Sequence, residues 1–339
     1  VAAFVAALPK VELHLHLVGS ASLDTVLALA RRHPGDGVPT DRDELRRFYA
    51  FTDFPHFLTV YHRVNLLVTT GADVVTLLEG LASELALRNA RYAEVQVTPV
   101  RNHMAGIGYA DLAAALADGR ALARERHGVE LGWVFDADAT LGPDGAEETV
   151  DFAVRYRPEG TVGIGLGGPE VGVRRADFAP AFRRAVAAGL HSLPHAGETV
   201  GPDEVWAAVT ELGAERIGHG IGAAGDPRLL EHLAERAITL EVCPVSNLRT
   251  AAVPDIGAHP LPALVAAGVP VTLATDDPGM FHTDLDAEYL LCHEAFGMGV
   301  AELAEIARTG ARAAYCSAEL RDALLSEIDE VEAASTVEP

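Results

Sequence analysis

Apolar residues along this chain fall into eight short runs, separated by longer segments in which they recur every three or four residues. The runs cover 10–17, 91–98, 130–137, 161–167, 189–196, 215–219, 238–244 and 269–275, and each closes near glycine or polar residues. Such runs predict buried strands. The spacing in 181–188, 203–212, 229–236 and 261–267 predicts helices, the last stopped by Gly268. Strand and helix alternating eight times predict an α/β fold, a (β/α)8 TIM barrel. Residues 21–90 interrupt the alternation and predict extra helices inserted after strand one, among them 23–32 and 54–68. Residues 303–335 predict terminal helices packed on the barrel, and the apolar N-terminus predicts a short capping helix, not a signal peptide. No low-complexity linker or internal repeat divides the sequence, so a single domain spanning 1–339 is expected.

In such a barrel, function gathers where strands end, and here the strand ends are rich in ionisable groups. Strand one carries His14 and His16, two residues apart and therefore on one strand face. Strand four ends in Gly167-Gly168-Pro-Glu170, strand five in Pro-His195-Ala-Gly-Glu198, strand six in Gly-His219-Gly and strand eight in Thr-Asp276-Asp277-Pro. A lone strand-end aspartate is commonly a turn residue. Three histidines and one carboxylate from separate strands can instead converge on one divalent ion and leave a position open for water. Glu198, just beyond a candidate ligand, can face a substrate, and His219 can take a proton from water.

Composition narrows the setting. The net charge of −23 argues against nucleic acid and anionic membranes as partners. No apolar run is long enough to span a bilayer. Cys243, Cys292 and Cys316 are too few and too widely spaced for a disulfide framework or a Cys-x-x-Cys metal site, and fit a reducing cytoplasm. Lys10 is the only lysine, which leaves none for a bridging carbamate in a two-metal hydrolase.

The ordered set His14-Leu-His16, Pro194-His-Ala-Gly-Glu-Thr199, Gly218-His-Gly220 and Thr275-Asp-Asp-Pro278 resembles the adenosine deaminase family of the amidohydrolase superfamily. The resemblance runs from about residue 8 to about residue 330. It implies one zinc ion per chain on His14, His16, His195 and Asp276, and a small-molecule purine nucleoside as partner. It implies that Glu198 protonates purine N1, that His219 orients and deprotonates the attacking water, that Asp277 hydrogen-bonds N7 and that the Gly168 backbone meets N3. The expected reaction is hydrolytic deamination at C6 of an adenine nucleoside. A non-catalytic nucleoside-binding barrel is the alternative of a different class. Cys243-Pro-Val-Ser-Asn247 fits the family's strand-seven segment and is read as structural.

One departure from the family pattern bears on substrate. Adenosine-specific members carry an acidic residue two places after the second histidine, for the ribose 5′-hydroxyl; here that place is Val18. Losing that carboxylate weakens recognition of a free 5′-hydroxyl and makes room for a larger group. The segment His16-Leu-Val-Gly-Ser-Ala-Ser22, with Phe51-Thr-Asp-Phe54, is similar to the subgroup acting on 6-amino-6-deoxyfutalosine, a 5′-extended adenosine ending in a benzoate, on a route to menaquinone. Adenosine, 2′-deoxyadenosine and adenine remain alternatives. Phe54, Phe57, Leu58 and Tyr61, at helical spacing, are candidates for an apolar lid, and Arg101 and Arg249 for the partner of a benzoate. His103 and His282 are expected to face solvent. Strand four reads Gly165-Leu-Gly-Gly168 where many relatives have Asp-Leu-Ala-Gly, a difference with no account at this level. The oligomeric state is not readable from the sequence.

Overall fold

Strand β1 (Lys10–His16) opens the barrel, and it is followed by β2 (Ala90–Val97), β3 (Glu130–Asp138), β4 (Thr161–Gly167) and β5 (His191–Ser192), each hydrogen-bonded in parallel to the one before. A second parallel arc holds β6 (His195–Ala196), β7 (Arg216–His219), β8 (Thr239–Val242) and β9 (Val271–Leu273). The protein is seen in a computed structural model that describes residues 1–35 and 37–337. The expected span 1–339 also includes Asp36, Glu338 and Pro339, which lie outside the described residues.

The nine strands make eight staves, because the expected strand 189–196 is split at Pro194. Proline has no N–H to give to a ladder. Leu193 N still donates to Ile164 O at 2.9 Å, and Pro194 O accepts from Gly218 N at 3.0 Å, so the stave bonds one arc on each side of the break. The other seam closes where Asp276 N donates to His14 O (3.0 Å) and His16 N to Asp276 O (2.9 Å). The (β/α)8 barrel predicted from the apolar runs is the fold observed.

The insertion comprises helices Leu23–Arg32, Arg42–Phe48, Phe54–Asn65 and Gly71–Leu87. Their starts are encoded locally: Ser22, Asp41, Asp53 and Thr70 each accept a backbone N–H from the first turn. The helix expected over 54–68 ends at Asn65, three residues short. Val300–Ala313 and Ala318–Val337 pack at the chain end, and Ala2–Ala7 caps the bottom, where Lys10 donates to Val5 O and Leu8 O at 2.7 Å each. Among the described residues, no helix is long and apolar enough to cross a membrane.

Charge also fills the barrel axis. Arg216 pairs with Glu94 and, through Nε at 2.7 Å, with Glu241, all three being buried. A buried charge is costly unless matched, and here each has a partner. Glu241 also faces upward, toward the site.

Candidate metal centre and catalytic cleft

His14 and His16 at the end of β1, His195 at the start of β6 and Asp276 after β9 bring one ligand atom each within 4.8 Å of one another. His16 Nε2 lies 3.2 Å from His195 Nε2 and 3.2 Å from Asp276 Oδ1, and His14 Nε2 lies 3.6 Å from Asp276 Oδ1. Glu241 Oε2 accepts from His14 Nδ1 at 2.9 Å, which fixes the ring proton there and leaves the Nε2 lone pair inward. That buried Nε2 has no hydrogen-bond partner. Three imidazole nitrogens and one carboxylate oxygen converging on one point suit a divalent metal, and the residues present fit one.

The polar side chains of the site are themselves held. Ser246 Oγ donates to Asp276 Oδ2 at 2.6 Å. Asn247 Nδ2 contacts His219 Nδ1 at 3.3 Å, and Asn247 Oδ1 accepts from His259 Nε2 at 3.1 Å. The segment 243–247, read from sequence as structural, therefore supplies two residues that touch site side chains. His219 (φ 58°) and Asp276 (φ 64°) both adopt the left-handed backbone region, which favours glycine.

Glu198, His219 and Asp276 form a second cluster, with His219 Nε2 3.8 Å from Glu198 Oε2 and 3.9 Å from Asp276 Oδ2. Burial, reinforced by the charge of Asp276, pushes the Glu198 carboxyl well above the ordinary carboxylate range. Burial and Asp276 do the same to Asp277. Burial holds His219 neutral, its pKa pushed down to about 3. The loop bearing Glu198 is clamped by Glu170, whose buried carboxylate accepts from Gly197 N (2.7 Å) and Thr199 N (2.6 Å) and pairs with Arg175. The charged end of strand four thus serves the loop after strand five.

One cleft takes in His16, His195, Glu198, His219, Asp276 and Asp277. Its walls include Gly168 (φ 90°), Val18 and, from the insertion, Phe54, Phe57, Leu58 and Tyr61. Phe57 stacks near Phe281 at 5.0 Å and Phe51 at 5.3 Å, which ties the insertion to the turn after Asp277. Arg101 lines the cleft and is engaged there: Nε donates to Asp138 at 2.6 Å and Nη2 to Thr140 Oγ1 at 2.7 Å. Arg249 is not brought to the cleft; it is exposed, with its guanidinium 5.3 Å from the Phe51 ring centre. His103 and His282 are exposed, as expected.

Sequence reasoning missed Asp136. It lies two residues before the end of strand three and lines the cleft, with Oδ2 3.7 Å from His16 Nδ1. A Cβ at Gly165 or Gly167 would collide with its carboxylate. The glycines of strand four are therefore the space into which strand three projects an acid, which accounts for the unusual Gly-Leu-Gly-Gly run. The signal was Phe135-Asp-Ala-Asp138 itself, an acidic strand end facing a glycine pair.

The sequence model of the adenosine deaminase family matches residues 9–331. An aminodeoxyfutalosine deaminase of Streptomyces coelicolor is 48% identical over 334 residues, covering 98% of this chain and 86% of that protein. An adenine deaminase of Rhizobium leguminosarum bv. trifolii is 37% identical over 321 residues, 95% of this chain and 99% of its own length. Among solved structures, an amidohydrolase from Burkholderia ambifaria with bound Zn superposes with a TM-score of 0.91 at 30% identity, covering 99% of this chain and 95% of that one.

Proposed function

This chain belongs to the adenosine deaminase family, and on that premise we propose that it hydrolyses the 6-amino group of a 5′-substituted adenosine, with 6-amino-6-deoxyfutalosine its preferred substrate. His14, His16, His195 and Asp276 would hold a single zinc ion. Zinc, when bound, supplies hydroxide at neutral pH by lowering the pKa of water from 15.7 to about 7.

The chain's own residues do the rest. Addition of the hydroxide oxygen at C6 pushes an electron pair onto N1, which Glu198 protonates. Its burial suits that role, since only a carboxyl kept neutral can give a proton. The proton of the added hydroxyl then passes to the 6-amino nitrogen, the C6–N bond breaks, ammonia leaves and the 6-oxo product remains. His219 Nε2 addresses the oxygen that attacks C6. Asp277 meets N7, and the Gly168 backbone meets N3. The observation that carries the reaction is the meeting, in one buried cleft, of the four-donor set with Glu198 and His219.

The substrate preference is supported by Val18. Its apolar side chain lines the cleft where a carboxylate for a free 5′-hydroxyl would stand. The Streptomyces coelicolor relative named aminodeoxyfutalosine deaminase supports the same reading. Phe54, Phe57 and Leu58 offer an apolar wall to a 5′ substituent, and Arg101 a cation to its carboxylate. Three free thiols, two of them buried, support a cytoplasmic location.

The test is ammonia release by zinc-loaded protein from aminodeoxyfutalosine, 5′-methylthioadenosine, adenosine, 2′-deoxyadenosine and adenine, compared by kcat/KM. Aminodeoxyfutalosine is expected to lead. A lead for adenosine would overturn the substrate reading, and no ammonia from any of them the reaction itself.

A further inference from the structure

Two hydrogen bonds connect His219, through Asn247, to a histidine forty residues on in the chain, a third anchors that histidine, and their directions are not free. The anchor is main-chain. Leu261 N lies 3.1 Å from His259 Nδ1. A backbone N–H can only donate, so Nδ1 of His259 is the acceptor. The neutral ring therefore carries its proton on Nε2, and this ring is buried. Nε2–H reaches Asn247 at 3.1 Å and must meet the amide oxygen. The amide nitrogen is then the atom that faces His219 Nδ1, at 3.3 Å, and it too can only donate. Nδ1 of His219 is thus an acceptor. Its single proton sits on Nε2, the atom that faces Glu198 and Asp276.

We propose that His259 is a positioning residue which, through Asn247, holds His219 in the Nε2–H tautomer, so that His219 presents a donor and not a lone pair to the oxygen that attacks C6. The inference rests on the reading of the cleft above, in which His219 addresses that oxygen. It changes what His219 does there. A proton acceptor at Nε2, the role implied by family resemblance, is not available to the neutral ring while this relay stands. The N–H instead fixes the oxygen's direction of approach and stabilises negative charge on it, at no cost in reorganisation because the ring is already held. The relay gives a role to a buried histidine and a buried asparagine that lie outside the cleft lining, on the segments that follow strand seven.

The experiment reads the tautomer directly. In zinc-loaded protein carrying 15N-histidine, long-range 1H–15N correlation spectra distinguish a protonated from an unprotonated ring nitrogen. The expected result for the wild type is a protonated Nε2 and an unprotonated Nδ1 on His219. Finding Nδ1 protonated overturns the proposal. Asn247→Asp presents acceptors on both sides, so the His219 proton is expected to move to Nδ1. His259→Phe removes the anchor and is expected to mix the tautomers and lower kcat roughly tenfold with little change in KM. His259→Gln, whose side-chain N–H still reaches Asn247 Oδ1, is expected to restore the wild-type spectrum and most of kcat. A His259→Phe spectrum identical to wild type would also overturn it. These readouts stand apart from substrate choice: an inactive wild type with the Nε2–H signature would sink the proposed reaction and leave the relay intact.

Discussion

Gly19 and Asp277 approach so closely that a Cβ on Gly19 would overlap the Asp277 carboxylate. The contact is stitched in place by Gly279 N, which donates to Gly19 O at 3.0 Å. The loop after strand one and the turn after strand eight thus meet through a position only glycine can fill. Gly19→Ala is expected to push Asp277 off its line into the cleft. A displacement of about 1 Å near reacting atoms costs on the order of 10²-fold, so kcat/KM should fall by about that factor while zinc content stays at wild-type level. Full activity in this variant would show that Asp277 does not need its place.

Removing the metal should unlock the cluster of His14, His16, His195 and Asp276. Ligand bound only by the folded state stabilises it by about 2.7 kcal/mol at a hundredfold excess over Kd. Chelator-treated protein is therefore expected to melt several degrees lower and to recover on adding zinc, with His195→Ala showing neither loss nor recovery. Differential scanning calorimetry with and without zinc decides it.

Glu198→Gln keeps the shape of the side chain and removes its acidic proton. General acid catalysis is worth ~10²–10⁴-fold, and kcat is expected to fall within that range with metal content unchanged. A variant that keeps its rate would mean that N1 draws its proton from elsewhere.

Val18→Asp restores a carboxylate to the cleft wall. Activity toward adenosine should rise relative to 5′-substituted nucleosides by roughly tenfold, the equivalent of one hydrogen bond to a charged group. The ratio of the two kcat/KM values is the measurement, and an unchanged ratio would remove Val18 from the account of specificity.

Acid should weaken the fold through His259. Burial pushes its pKa down from the ordinary 6.5 to about 4. Between those values the unfolded chain binds a proton that the folded chain refuses. The contribution is fully present above about pH 6.5 and declines as pH falls toward 4, by up to about 3 kcal/mol. Denaturant titrations at pH 7 and pH 5 should show a smaller difference for His259→Gln than for the wild type.

Much of this was legible in the chain. Short apolar runs closing near glycine or polar residues marked the barrel staves, and His14, His16, His195 and Asp276 stood near stave ends in a combination that can converge on one ion. Other parts were hidden because they depend on what lies across a strand. Asp136 becomes visible only when Gly165 and Gly167 are seen beside it. Ser246, Asn247 and His259 look like ordinary polar residues until the residues they touch are known. Pro194 sits inside the run 189–196, and only the fold shows that the strand splits there and that hydrogen bonds to both arcs of the barrel bridge the break.

The left-handed backbones of His219 and Asp276 have a consequence for how this protein would change under different pressures. Strain of this kind costs of order 1–3 kcal/mol per residue, more than the roughly 0.5–1 kcal/mol of chain entropy that glycine would forfeit. Glycine at 276 would relieve that strain but remove a metal donor and its bond from Ser246, and with them the stabilisation the bound ion gives. Glycine at 219 would leave a hole where a fully buried imidazole packs. Selection for heat resistance and selection for turnover therefore pull the same way at these two turns, and a thermostability campaign would leave both strained residues in place.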